Sequence, residues 1–174
     1  MRKLLLMRHA KAVHQPGLSD HTRHLTDRGR DDTRLVAAFL QANSLMPDLA
    51  LASDSRRTRE TLDIACGVFA PAPATQLEAG LYLAEPTAIL RAIRAVPAAT
   101  KILLVVGHNP GIAELALGLA ESGQPNDVQR LAASFPTSAV AVLEFESSWA
   151  RLAELGGRLE RFILAKSLRE QESR

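Results

Sequence analysis

Residues 4 to 10 read Leu-Leu-Leu-Met-Arg-His-Ala, an apolar run that ends in an arginine and a histidine. The run has the length and composition of a short strand buried inside an α/β sheet. Ligands of such sheets bind outside the carboxyl ends of the strands, so we expect Arg8 and His9 at a site. Arginine presents a planar fork of donors to phosphate oxygens, and histidine can act as a nucleophile or proton carrier. Taken alone, the pair is equally consistent with an ordinary polar loop.

A second apolar run repeats the same layout. Residues 102 to 106 read Ile-Leu-Leu-Val-Val and lead into Gly107-His108-Asn109-Pro110-Gly111. Asn109 suits a helix N-cap and Pro110 the first helical position, so His108 is predicted at a strand-to-helix switch. The N-terminus of a helix attracts phosphate. A capped tight turn accounts for the glycine, asparagine and proline, but it gives no reason for the histidine.

A third run, Leu49-Ala50-Leu51-Ala52, predicts a short strand followed by a helix that begins near Ser55. Arg56 and Arg57 fall in the first turn of that helix, where the helix dipole disfavours cations, so an anionic partner is indicated. The alternative is a solvated arginine face with salt bridges to neighbouring acids. We prefer that alternative for Arg56 and Arg59.

The remaining pattern predicts alternating helices and strands. Helices are expected near 27–43, 56–69, 86–96 and 110–121, and late strands near 138–145 and 158–165, the last with an edge position. This alternation favours an α/β fold, a three-layer sandwich with a mostly parallel central sheet flanked by helices. We assign residues 1–166 to a single domain and 167–174 to a polar, frayed C-terminal tail.

The composition is that of one folded domain. The chain has 174 residues, of which 47% are hydrophobic, and a net charge of only +2, which gives no nucleic-acid signature. A single cysteine, Cys66, excludes an intramolecular disulfide, and no stretch is apolar and long enough to span a membrane. Without a signal-peptide pattern, a cytoplasmic location is expected. We expect a monomer with no nucleic-acid or membrane partner.

Together, these segments resemble the histidine phosphatase superfamily, also called the phosphoglycerate mutase-like or RHG superfamily. The opening Arg-His-Gly/Ala motif is matched by Arg8-His9-Ala10, and the late Gly-His-Asn-Pro motif by residues 107–110. A serine, an arginine and a threonine at four-residue spacing are matched by Ser53, Arg57 and Thr61. The segment from Arg23 to Gly29 resembles a further family stretch, Arg-Pro-Leu-Thr-x-x-Gly. The four motifs stand in the family's order.

The resemblance implies a phosphoglycerate mutase-like fold and a mechanism. His9 is the expected nucleophile, Arg8, Arg57 and His108 the groups that bind the phosphoryl oxygens, and Thr26 a further candidate for phosphate binding. The scheme needs neither metal nor other cofactor, because the arginines supply the positive charge. His14, His21 and His24 are expected to shape the substrate rim or to face solvent. The short, Pro/Ala-rich link at 69–76 leaves no room for a large cap, which points to the SixA-type phosphohistidine phosphatases.

One departure from the family concerns the proton donor. Mutase-like members carry an acidic donor followed by Trp-Glu-Gly, which is missing here, so a mutase is disfavoured. Glu78 is a candidate donor, Glu85 is read as an N-cap, and the donor is left unassigned. The expected substrate is phosphohistidine on a protein such as a phosphotransfer domain, whose imidazole departs more easily than an alkoxide. Two alternatives stay open: a phosphatase of small phosphomonoesters, and a non-catalytic phosphate- or phosphoprotein-binding module.

Overall fold

A seven-stranded sheet forms the centre of the computed structural model, which describes residues 1–153 and 156–173. Its order is β3-β2-β4-β1-β6-β7-β5. Four of the neighbouring pairs are parallel, and only β6 runs antiparallel to its neighbours. The predicted mostly parallel sheet is therefore confirmed. The strands are β1 (Arg2–Arg8), β2 (Leu49–Ala52), β3 (Ala74–Leu77), β4 (Ile102–Gly107), β5 (Ala120–Gly123), β6 (Val140–Phe145) and β7 (Gly157–Ile163).

Helices cover both faces of this sheet and complete the three layers. The four predicted helices are present with ends that shift by no more than about two residues, as is normal for helix termini. Among the described residues, none of the helices combines the length and apolar character needed to cross a bilayer. The helices are α1 (Asp27–Ala42), α2 (Arg56–Val68), α3 (Pro86–Arg94), α4 (Gly111–Leu119), α5 (Pro125–Ala133) and α6 (Ala165–Glu172).

The first strand shows how the sequence builds two cores. Its side chains alternate between the faces, so Leu4 and Leu6 pack under the α3–α4 layer while Leu5 and Met7 pack under α1, α2 and α6. All four are at most 1% exposed. A strand covered on both sides needs apolar residues at every position, which explains the continuous runs in β1 and β4.

The C-terminal segment differs from its prediction. Residues 167–174 were expected to form a frayed tail, but Ala165–Glu172 form α6, which packs on α1. Leu168 is buried at 7% exposure, and the Arg169 guanidinium pairs with Asp32 of α1. Ala165 is also buried, and Arg130 donates to Ser167 Oγ at 3.3 Å. These contacts to distant parts of the chain hold the polar segment, and they produce no local sequence pattern. The folded unit therefore extends beyond residue 166.

Two further expectations are corrected. The strand predicted at 158–165 is β7, which lies between β6 and β5 rather than at an edge, because β5 covers its other side. Asn109 does not cap α4; its side-chain amide donates to the carbonyl of Phe135 at 2.8 Å, and the helix begins one residue after Pro110.

Two glycines allow helices to start against other backbone segments. A Cβ atom at Gly29 in α1 would overlap the carbonyl oxygen of Lys11, and one at Gly111 would overlap that of Ala84. Only glycine fits such close approaches. Gly29 therefore fixes α1 against the loop that follows His9, and Gly111 fixes the start of α4 just after His108.

Candidate active site

Three neighbouring strands end at the same edge of the sheet, and a polar side chain follows each of them. Ser53 follows β2, His108 follows β4 and His9 follows β1. The strands end in register, since Ala52 pairs with Val106 and the residue before His9 pairs with the residue before His108. The two imidazole rings consequently lie 5.2 Å apart between centroids. This edge is where α/β sheets bind ligands.

Arg57 joins the two histidines. Its Nε donates to His9 Nε2 at 3.2 Å, and its Nη2 donates to His108 Nδ1 at 3.1 Å. The arginine is only 1% exposed although it lies in the first turn of α2. The structure thus brings together the groups that the sequence placed after separate strands, within reach of one phosphoryl group. Arg56, by contrast, pairs with Glu60 on the surface, as expected.

The environment of His9 leaves one of its ring nitrogens ready to react. Its Nδ1 lies 2.8 Å from the carbonyl oxygen of Ala10, which can only accept, so Nδ1 carries the proton and Nε2 keeps its lone pair. Burial lowers the pKa of His9 to about 4, and the nearby charges of Arg57 and Arg8 act in the same direction. At neutral pH the side chain is a neutral imidazole whose Nε2 faces the site.

His108 is held in the opposite tautomer. Because Arg57 donates to its Nδ1, the proton lies on Nε2, which donates to Ser53 Oγ at 2.8 Å. Burial first, and then His9 and the charge of Arg57, lower the pKa of His108 to about 3. His108 is therefore also neutral at neutral pH. A dianion placed between these groups would favour its protonated form and turn Nδ1 into a donor.

The four-residue spacing of Ser53, Arg57 and Thr61 has a structural reason. Ser53 anchors His108 from the strand end, and Arg57 sits one helical turn before Thr61. The Thr61 hydroxyl donates to the Arg57 carbonyl at 2.7 Å and accepts from the backbone N–H of Ala10 at 3.0 Å. One face of α2 thereby positions both the second histidine and the loop that carries the first.

Arg8 is the last residue of β1 and lies close enough to Arg57 for the two charges to interact. Its Nη1 donates to the carbonyl of Phe135 at 3.1 Å, while its buried Nε finds no hydrogen-bond partner among the described residues. Burial and the neighbouring charge of Arg57 lower the pKa of Arg8, which still leaves it charged at neutral pH. Arg57 is buried and Arg8 is half-buried, and the repulsion between these two like charges favours the binding of an anion close to both.

A carboxylate that the sequence analysis did not single out lies beside this cluster. Arg57 donates to the carbonyl oxygen of Asp20 at 2.7 Å and to its Oδ2 at 3.0 Å. The Tyr82 hydroxyl also donates to Oδ2, and Arg23 donates twice to Oδ1, at 2.7 and 3.0 Å. The hydrogen bond from Tyr82, together with the two arginines, holds the pKa of Asp20 well below its usual range. A single acid in a polar loop has no motif that could have revealed it.

Other predicted site residues lie outside the cluster. Thr26 caps α1, since its hydroxyl accepts from the N–H of Gly29 at 3.0 Å and donates to a loop carbonyl. Glu78 follows β3 and accepts from Gln76 at 2.7 Å. It lines a groove of about 330 Å³ between β3 and α3. Within the described part of the chain, neither Thr26 nor Glu78 hydrogen-bonds to His9 or to Arg57.

The three histidines of the loop after β1 lie in different environments. His21 Nε2 lies 3.0 Å from Asp54 Oδ1, and its ring stands edge-on to Tyr82 at 4.9 Å, so it forms part of the rim. His14 is exposed and His24 is half-buried. In residues 1–153 and 156–173, no group of three or more His, Cys, Asp or Glu side chains is arranged to hold a metal ion.

Comparison with known proteins identifies the same region of the chain. The model of the histidine phosphatase superfamily (branch 1) matches residues 4–81, which include Arg8, His9 and Arg57. The uncharacterized protein ML1117 of Mycobacterium leprae is 36% identical over 151 residues, which cover 84% of this chain and 91% of that protein.

Two solved structures share the whole fold. One is the putative phosphohistidine phosphatase SixA from Nakamurella multipartitia, which is 30% identical with a TM-score of 0.82 over 94% of this chain and 95% of that one. The other is the protein histidine phosphatase SixA complexed with tungstate, with 21% identity and a TM-score of 0.77 over 95% and 99% of the two chains. With its motifs assembled at one sheet edge, the chain belongs to the histidine phosphatase superfamily and has SixA proteins among its structural neighbours.

Proposed function

We propose that this chain is a metal-independent phosphatase that removes phosphate from phosphohistidine on proteins, such as phosphotransfer domains, through a phosphorylated His9. The observation that carries the proposal is the state of His9: a neutral imidazole whose Nε2 lone pair faces two arginines and a second histidine. A module that only binds phosphate would need the arginines but not a nucleophile in this tautomer.

In the proposed first step, His9 Nε2 attacks the phosphorus atom in line with the substrate's P–N bond. A P–N bond to His9 forms as the substrate's own P–N bond breaks, and its electron pair goes to the departing imidazole nitrogen. Arg8, Arg57 and His108 would bind the non-bridging oxygens, where charge must be held through the transition state.

In the second step, water attacks the phosphoryl group on His9. The new P–O bond forms as the P–N bond breaks, the electron pair returns to His9 Nε2, and inorganic phosphate leaves with the proton lost by water. The positive charge required in both steps comes from arginines, so the proposed cycle requires no metal. An imidazole leaving group also makes less demand on a general acid than an alkoxide, in keeping with the position of Glu78 away from His9.

A protein-borne substrate is supported by the length of the link between α2 and β3. Only residues 69–73 connect these elements, so no helical insertion at this point covers the site. The SixA names carried by structural neighbours of this chain agree with such a substrate.

The decisive experiment measures phosphate release from a phosphohistidine-bearing protein and from an aryl phosphate. Wild type, His9→Ala and the exposed-histidine control His14→Ala are compared, with and without a chelator. We expect turnover on phosphohistidine that is lost only in His9→Ala and is insensitive to the chelator. Turnover of the aryl phosphate alone would move the substrate to small phosphomonoesters. Tight binding of the phosphoprotein without turnover, surviving in His9→Ala, would indicate a binding module.

A further inference from the structure

Asp20 places a fixed negative charge at the mouth of the phosphate site. Its side chain is 47% exposed, whereas Arg57, to which it is bonded, is buried. Arg57, Arg23 and Tyr82 all donate to its carboxylate. These donors hold the pKa of Asp20 below its usual range, so the carboxylate is charged under all conditions near neutrality.

A carboxylate in this position weakens the binding of an ordinary phosphate ester. The phosphoryl group brings negative charge to Arg57, and Asp20 already occupies two of the N–H directions of that arginine. Like charges at such distances repel, and an alcohol or phenol leaving group brings no positive charge in compensation. Asp20 therefore lowers the affinity of the site for phosphate esters of alcohols and phenols.

The sign of the interaction reverses for a phosphorylated imidazole. When the ring is protonated on the nitrogen that does not carry phosphorus, it bears a positive charge and a ring N–H. A carboxylate can accept a charge-assisted hydrogen bond from that N–H, which is among the stronger interactions available to a side chain. The same Asp20 that opposes an ester therefore favours this leaving group.

In-line attack directs the leaving group toward Asp20. His9 Nε2 accepts from the Nε of Arg57, whereas Asp20 accepts from both Nη nitrogens, so the nucleophile and the carboxylate contact different parts of the guanidinium. The leaving group departs on the side of phosphorus opposite to the nucleophile. That side is the mouth, where the Asp20 carboxylate and the Tyr82 ring lie. Tyr82 also stands edge-on to His108 at 5.4 Å, so the three residues border one opening.

We propose that Asp20 is a specificity-determining residue that selects a protonated imidazole over an alcohol or phenol as the leaving group. The inference rests on the proposed chemistry at His9. As His9 Nε2 bonds to phosphorus, the substrate's P–N electron pair goes to the departing ring nitrogen. The proton on the other ring nitrogen stays in place against Asp20, and the ring leaves as neutral imidazole.

The test compares kcat/KM for N-phosphoimidazole and for an aryl phosphate at about pH 6, where an imidazole is largely protonated. Wild type, Asp20→Asn and the matched rim control Asp54→Asn are used. In Asp20→Asn the side-chain amide oxygen can still accept from Arg57 and Tyr82, so the substitution removes the charge and the two hydrogen bonds from Arg23 while keeping those at the phosphate site. We expect the N-phosphoimidazole to aryl phosphate ratio to fall about tenfold in Asp20→Asn and to stay unchanged in Asp54→Asn.

Three outcomes would overturn the assignment. An equal loss of kcat/KM on both substrates would mean that Asp20 only positions Arg57. If the ratio fell as far in Asp54→Asn as in Asp20→Asn, the effect would not be specific to Asp20. A wild type that cannot turn over N-phosphoimidazole would also contradict it. Failure on a phosphohistidine-bearing protein, with the N-phosphoimidazole ratio behaving as expected, would refute the protein substrate but leave the role of Asp20 standing.

Discussion

Replacing His9 with asparagine tests the neutral, buried imidazole on which the proposed mechanism depends. The folded chain lowers the pKa of His9 to about 4, against about 6.5 for an exposed histidine. At a pH between these two pKa values, His9 is protonated in the unfolded chain and neutral in the folded chain. The contribution of His9 to stability is therefore complete above about pH 6.5 and is lost as the pH falls toward 4.

The size of this effect follows from the two pKa values. Between about pH 7.5 and about pH 5, the linkage relation gives a loss of about 2 kcal/mol in the free energy of unfolding for His9. His108, whose pKa is lowered to about 3, contributes a similar amount in wild type. Carboxylates stay ionised in the folded and the unfolded chain over most of this pH range. The change in the free energy of unfolding with pH therefore comes mainly from the histidines.

The assay is urea unfolding of wild type and His9→Asn at these two pH values. We expect wild type to lose roughly 4 kcal/mol and His9→Asn roughly half of that. His14→Asn, which alters an exposed histidine, is the matched control and should keep the wild-type loss. A His9→Asn protein with the full wild-type loss would show that His9 is not held neutral by its surroundings.

Three other predictions use denaturation and kinetics. Gly111→Ala should lower the free energy of unfolding by about 2 kcal/mol, because the added Cβ would meet a backbone carbonyl oxygen. Gly118→Ala, where the added Cβ has open space, should leave the free energy of unfolding unchanged or raise it in the same urea assay. Ser53→Ala removes the acceptor for the Nε2–H of His108, so kcat on an aryl phosphate should fall roughly tenfold with a smaller change in KM; an unchanged kcat would contradict that role. Leu168→Ala should lower the free energy of unfolding by about 2 kcal/mol. An unchanged free energy of unfolding would indicate that the C-terminal segment is a frayed tail.

The parts of the fold that sequence predicts are those with local signals. Apolar runs of four or five residues identify the buried parallel strands β1, β2 and β4, and the helices between the strands carry regular apolar spacing. Because the motif residues stand directly at strand ends, a parallel sheet must bring His9 and His108 to the same edge. Arg57 follows from the same logic, since it opens the helix after the neighbouring strand.

The parts that sequence misses depend on partners far along the chain. Strand β5 (Ala120–Gly123) is a largely exposed edge strand with no apolar run, and it exists through its pairing with β7. Helix α6 is held by Leu168 and by an ion pair between Arg169 and Asp32, which are 137 positions apart. Asp20 gains its place only because its loop folds over the start of α2. None of these contacts leaves a periodic or motif-like trace.

The hydrogen bonds of Arg57 decide how the site meets its ligand. Its N–H groups are directed to His9, His108 and both a carbonyl and a carboxylate oxygen of Asp20. In the proposed mechanism, phosphate binding is therefore an exchange of acceptors, and the affinity for phosphate would reflect a difference between two sets of hydrogen bonds and not their sum.

This exchange also links binding to reactivity. The Nε–H of Arg57 points at the lone pair of His9 Nε2, so the group that binds phosphate also contacts the nucleophile. In the proposed mechanism Arg57 would turn its donors to the phosphoryl oxygens, which would leave the His9 lone pair to attack phosphorus and the Asp20 carboxylate to contact the leaving group. A substrate with both a phosphoryl anion and a cationic ring could accept hydrogen bonds from Arg57 and donate one to Asp20, whereas a simple ester could interact only with the arginine.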